Sequence, residues 1–137
     1  MKGIYILVLS IQRATKLPIG RLDSTAFEKG IYACVGSAQN NWEKRVERHC
    51  RRTKKRFWHI DYLLGDQSVS ILSAYLCEAP RGEECRVALA ISSIGTPIKG
   101  FGSSDCRCAS HLLQINNSFD FKKLMKTPGF ITLNLSP

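Results

Sequence analysis

The run Gly3–Ile11, GIYILVLSI, is apolar on both of its faces. Successive side chains of a strand point to opposite sides, so Tyr5, Leu7, Leu9 and Ile11 share one face and Ile4, Ile6 and Val8 the other. A strand of that kind has to be covered above and below, which makes it central in a sheet with a packing layer on each side. The charged start, Met1-Lys2-Gly3, gives the run the outline of a secretion signal. However, Tyr5 interrupts it, Gln12-Arg13 closes it and no small-residue cleavage site follows. No apolar stretch approaches the roughly 20 residues that cross a bilayer. The expectation is a cytoplasmic protein with no membrane partner.

The rest of the chain supplies neighbours and cover for this strand. Residues 30–35 alternate in strand fashion, turn at Gly36-Ser37 and enter a helix capped by Asn40 or Asn41. Residues 10–29, with Pro18, Gly20 and scattered charge, form a long loop or a ragged hairpin extension. FWHIDYLL, residues 57–64, is a short apolar segment that places His59 and Asp61 on one side if it is extended. Residues 69–77 are a third strand, rich in Val, Ile, Leu and Tyr. Pro80 and Gly82 break the chain before a second helix over 83–92, and 95–104 is a loop. A last strand over 110–115 and a short helix over 119–126 lead into a tail from Thr127 with no assigned structure. Strand, strand, helix, strand, helix predicts an α+β domain with a small, mainly antiparallel sheet flanked by helices. At 137 residues and 44% hydrophobic, the chain is one domain with a core of useful size.

Charge is gathered on the first helix. The formal net charge is +9, and residues 43–56 contain eight Lys and Arg against two Glu, so they carry +6 of it. At 3.6 residues per turn Trp42, Val46, Cys50, Thr53 and Phe57 form an apolar stripe, with Arg45, His49, Arg52 and Arg56 beside it. Buried along its apolar stripe, the helix holds the basic one partly desolvated at the edge of the core, where a charge acts strongly on a phosphate. A directed field of this kind favours a polyanion, DNA or RNA. A solvated helix face is the alternative.

Six cysteines do not make this a disulfide scaffold, because the chain is neither short nor loop-rich and most of them lie in apolar runs. Cys106-x-Cys108-x-x-His111 is a possible structural zinc cluster completed by Cys85 or Cys77, although zinc sites usually space their cysteines more widely. Buried thiols in a turn are the alternative. Trp58 either stacks on a base or packs.

Several motifs converge on one family. Gly3-Ile4-Tyr5, then Cys34-Val35-Gly36-Ser37-Ala38, then Glu43-Lys44-Arg45-Val46-Glu47-Arg48-His49 resemble the GIY-YIG endonuclease superfamily. More closely, WHIDYLL, EECRVALA and GFGSSDCRCASHL are similar to a small branch of it, whose members occur alone or attached to endonuclease III-like repair proteins. The resemblance implies one GIY-YIG-like nuclease domain over 1–137, with an inserted loop at 11–29 and a family-specific C-terminal segment at 95–137. Two departures stand out. Cys34 occupies the place of the second motif's tyrosine, with Tyr32 two residues earlier on the same face, and the gap between the motifs is longer than the usual short hairpin.

Phosphodiester hydrolysis needs a positioned water, a proton acceptor and positive charge where the transition state gathers negative charge. The resemblance assigns the water to Tyr5, and Arg45 and His49 fall at the family's active-site arginine and histidine. Arg45 can clamp a phosphate with its planar fork, while His49, one turn on, can donate a further bond or move a proton. Glu84 matches the metal-binding glutamate, and Mg²⁺ or Mn²⁺ is the implied cofactor. Since Mg²⁺ keeps most of its waters, one carboxylate suffices. Tyr32 and His59 complete the candidate catalytic set; His59 with Asp61 is either a phosphate contact with its orienting acid or a structural hydrogen bond. Lys44, Arg48, Arg52, Lys55 and Arg56 are the expected contacts to the nucleic-acid backbone. The expected function is a metal-dependent DNA endonuclease in repair or processing, with a repair protein as a further partner. The alternative is a non-catalytic nucleic-acid-binding module of the same fold.

Overall fold

A computed structural model describes residues 3–19, 22–38, 42–51, 59–80, 82–99, 101, 110–126 and 130–134. Its centre is β1 (Gly3–Ile11), β4 (Gly30–Ala38) and β5 (Val69–Cys77), with β1 hydrogen-bonded antiparallel to both of the others. β7 (Leu112–Ile115) and β6 (Gly95–Pro97) extend the sheet beyond β4, and β8 (Phe130–Asn134) extends it beyond β5. The result is a six-stranded antiparallel sheet in the order β6-β7-β4-β1-β5-β8. Together with four helices it makes an α+β domain of the expected class. No described helix is long and apolar enough to cross a membrane.

The two faces of β1 are covered by different layers. Tyr5, Leu7, Leu9 and Ile11 pack with Val46 of α1 (Trp42–Cys50), with Ile60, Leu63 and Leu64 of α2 (His59–Leu64), and with Ile19 and Phe27. Ile4, Ile6 and Val8 pack with Ala88 and Ile91 of α3 (Glu83–Ser92) and with Phe121 and Met125 of α4 (Ser118–Met125). Burial of both sides is what the uninterrupted apolar run requires.

Several local expectations need correction. Of the two readings of residues 10–29, the hairpin holds and the long loop does not, with β2 (Thr15–Ile19) and β3 (Leu22–Phe27) paired with each other outside the main sheet. β4 runs through Gly36-Ser37 to Ala38, because both residues remain paired with β1 and no turn forms there. Residues 59–64 are helical rather than extended, which puts residues 59 and 61 on different sides instead of one. The 110–115 strand is not the last, and β6 and β8 are additional. α1 ends at Cys50, which is exposed, while Val46 and His49 are buried. The helix thus turns the line through Val46 and His49 inward, rotated from the expected apolar stripe toward the basic one. Thr53, Phe57, Arg52, Lys55 and Arg56 lie outside the described residues.

Candidate active site

Topology brings the candidate residues to one end of the sheet. Tyr5 stands two residues into β1, opposite Gly36 near the end of β4 and Leu76 near the end of β5. α1 follows β4 closely and α3 follows β5 closely, so the first turns of both helices are delivered to the end at which Tyr5 lies.

The Tyr5 hydroxyl and His49 Nε2 are hydrogen-bonded at 2.9 Å, with both side chains buried. Their rings lie tilted with centroids 5.5 Å apart. Arg45, one turn before His49, also bonds the Tyr5 hydroxyl, and its Nη1 donates to the Ser37 carbonyl at 3.3 Å. Burial holds the Tyr5 phenol well above its ordinary pKa, the neighbouring Cys34 and Glu84 push the same way, and Arg45 opposes them. The phenol is therefore a neutral hydroxyl at physiological pH. Gly36 makes room for this ring: a Cβ there would run into the Tyr5 Cζ and hydroxyl.

Behind the pair lies a second layer of charge. Asp61, fully buried on α2, accepts two bonds from Arg48, from Nη1 at 2.9 Å and from Nη2 at 3.1 Å. Its Oδ1 also lies 3.9 Å from His49 Nδ1. Asp61 therefore partners α1, and Arg48, an expected nucleic-acid contact, holds it bidentately while its side chain keeps 18% exposure.

Glu84 comes from the other layer. It stands in the first turn of α3, where a carboxylate complements the helix dipole. Its Oε2 lies 3.3 Å from Nδ1 of the buried His111, whose Nε2 is 3.7 Å from the Cys85 thiol. The Glu84 carboxylate reaches Tyr5 and Cys34 electrostatically, raising both, and its side chain keeps 22% exposure. Burial first, then Glu84 and Asp61, push the Cys34 thiol up to about 12, so it is a neutral group in the wall of the site. The site thus has a buried floor of Tyr5, His49 and Asp61 with the half-buried Arg45 beside it, while Glu84, paired with His111, acts on Tyr5 and Cys34 through its charge.

Other candidates lie elsewhere. Tyr32 shares the face of Tyr5 but pairs with Leu9, four residues along β1, which is about 13 Å away at strand spacing. Its hydroxyl donates to the Glu28 carbonyl at 2.7 Å, and burial raises its pKa with help from Glu28. Tyr32 is a packed residue of the hairpin side. His59 opens α2, and its side chain lies outside the described residues, as do Trp58, Cys106 and Cys108. Lys44 is exposed on α1. Both ring nitrogens of His111 are engaged by Glu84 and Cys85. Among the described residues no three His, Cys, Asp or Glu side chains are grouped to hold a metal ion. The partly exposed carboxylate of Glu84, with one oxygen on His111, is a donor of the kind Mg²⁺ accepts, since that ion takes most of its ligands from water and substrate phosphate.

Sequence reasoning missed several partners that the structure gives these residues. Gly36 reads as a turn until its place opposite Tyr5 is known. Asp61 reads as the companion of His59 only on an extended backbone, and no sequence spacing links His111 to Glu84. Helical periodicity over HIDYLL was the one available signal, and it would have separated residues 59 and 61.

Fold and cluster define an α+β domain with a buried tyrosine–histidine pair beside an arginine, and a glutamate–histidine pair on the helix after β5. The family model described as Domain of unknown function DUF123 matches residues 4–129, and the chain belongs to that family. No curated protein and no solved structure matches it.

Proposed function

We propose that this domain is a metal-dependent endonuclease that hydrolyses DNA phosphodiester bonds, of the GIY-YIG type that its motifs resemble. The observation that carries this reading is the placement of the Tyr5 hydroxyl between Arg45 and His49, in the field of Glu84, at one end of the sheet. Tyr5, Arg45 and His49 come together there and Glu84 acts on the phenol through its charge, and the reading gives each a part in phosphodiester cleavage.

In this reading the phosphate enters beside Arg45. Arg45 binds a non-bridging oxygen and opposes the charge that grows on it in the transition state; a guanidinium carries five N–H donors, more than its bonds to Tyr5 and Ser37 use. Tyr5 orients the attacking water. Being a neutral phenol, it takes the water's proton only as its own passes to His49 Nε2, so the proton moves along the observed 2.9 Å bond. His49 is buried against Tyr5, so its part is proton transfer rather than a phosphate contact. Glu84 would hold a divalent ion, which when bound polarises the phosphodiester and stabilises the leaving oxygen. Lys44 supports the backbone of the nucleic acid, and specificity follows the shape of the substrate or a partner more than its base sequence.

The test is nicking of supercoiled plasmid in Mg²⁺ or Mn²⁺ by the wild type, Arg45→Ala and Glu84→Gln. We expect nicking by the wild type, its loss in both variants, and retention of DNA by Glu84→Gln. Retention without nicking in the wild type supports instead a binding module that kept the fold. Cys34 favours that second reading, since a neutral buried thiol replaces the tyrosine of the second motif.

A further inference from the structure

The proposed chemistry needs His49 Nε2 to be an acceptor toward Tyr5, and an imidazole in a buried site can equally place its proton there and donate. The choice is made by whatever faces the other ring nitrogen. Across from Nδ1 stands the Asp61 carboxylate, 3.9 Å away, completely buried and gripped bidentately by Arg48. A carboxylate can only accept, so it favours the proton on Nδ1 and leaves the lone pair on Nε2.

We infer that Asp61 is a positioning residue that holds His49 in the Nδ1–H tautomer, with Arg48 fixing the carboxylate, so that Tyr5, His49 and Asp61 form a buried proton relay. When the Tyr5 O–H bond breaks and an Nε2–H bond forms, His49 becomes an imidazolium, and the negative charge of Asp61 lies on its far side. The distance is longer than a hydrogen bond, so Asp61 acts on Nδ1 through its charge across 3.9 Å. Burial makes the interaction matter, because a charge acts strongly on a group withdrawn from solvent. The Arg48–Asp61 pair is thus more than a clamp between α1 and α2. The catalytic consequence rests on the hydrolase reading above, whereas the tautomer does not.

Substitution of Asp61 by Asn makes the distinction sharp. Arg48 demands an acceptor, so the amide turns its carbonyl to Arg48 and its NH₂ to His49, which then must accept at Nδ1 and carry its proton on Nε2. An asparagine behind a catalytic histidine inverts the tautomer in this manner.

The experiment is a long-range ¹H–¹⁵N imidazole spectrum of the full chain near neutral pH, in the wild type and in Asp61→Asn. Only three histidines are present, and His49→Gln assigns the signals. We expect a protonated Nδ1 and an unprotonated Nε2 in the wild type, and the reverse in the variant. A protonated Nε2 in the wild type, or an unchanged pattern in Asp61→Asn, overturns the inference. If that variant does not fold, the wild-type spectrum still decides the question. Nicking at saturating DNA should fall about 100-fold in Asp61→Asn with plasmid retention within about twofold, and the loss should nearly vanish in a His49→Gln background. An equal loss in both backgrounds overturns the relay. The expected tautomers in a wild type that does not nick would support the placement of Asp61 and defeat the hydrolase reading instead.

Discussion

Two faces of one strand do different work in this domain. Ile4, Ile6 and Val8 of β1 enter a core of aliphatic and aromatic side chains under α3 and α4. On the opposite face Tyr5 enters a layer where His49, Asp61 and the Cys34 thiol are buried as well. Burying polar groups costs free energy unless each is bonded, and a purely apolar layer is the cheaper way to build a core. The second face gathers its buried histidine and aspartate toward the end where β1 begins, and continues with Leu7, Leu9 and Ile11 among mostly apolar side chains. The difference teaches that the polar end is arranged around Tyr5, and that stability and chemistry should separate between alternate residues of β1.

The sharpest way to break this contrast is to substitute neighbours on the strand. Tyr5→Phe should lower the nicking rate by about 10²–10⁴-fold while changing unfolding free energy by less than about 1.5 kcal/mol. Ile6→Ala should do the opposite, costing about 2–5 kcal/mol of stability in chemical denaturation and leaving the rate per folded molecule unchanged. Similar rates for the two variants would erase the distinction between the faces.

Gly36→Ala probes the same end from β4. Its methyl group would meet the Tyr5 ring and displace the hydroxyl from His49, so nicking should drop about 10²-fold, since an ångström of misplacement is enough to do that. The readout is the single-turnover rate at matched DNA retention.

Alkali gives a further separation. Cys34 ordinarily ionises near 9 and is pushed up to about 12 in the folded chain, with Tyr5 and Tyr32 also raised. The folded state therefore holds protons that the unfolded state has released, and stability falls as pH rises from 9 toward 12. Cys34→Ala should flatten that decline in thermal melts, whereas Ile6→Ala should shift the whole curve without changing its slope. The smallest effect belongs to the exposed side of α1. Lys44→Ala should weaken plasmid retention modestly and reduce the slope of log affinity against log salt by about one unit.

Legibility followed the same division. β1, β5 and α3 were placed at their observed limits by local chemistry alone: apolar runs for the strands, and Pro80, Gly82 and two glutamates for the helix start. The hairpin of β2 and β3 was legible only as one of two readings of residues 10–29, because Pro18 and mixed polarity suit a loop as well as an edge strand. β6, three residues long, offers no period to read. At the site, Tyr5, Arg45, His49 and Glu84 were legible as residue types in a motif. The bonds among them were not, since Tyr5 and His49 are 44 residues apart and Asp61 changes partners once residues 59–64 coil into a helix. Partners across elements depend on register and packing, which no local pattern encodes.

The central claim of the proposed function is that the Tyr5 hydroxyl orients and activates the water that attacks the phosphodiester. Its most direct measurement is the single-turnover nicking rate of wild type and Tyr5→Phe, each saturated with plasmid in Mg²⁺ and corrected for the folded fraction. A wild-type rate at least about 100 times that of the variant is the predicted result. Equal rates, or no metal-dependent nicking by either protein, would contradict it.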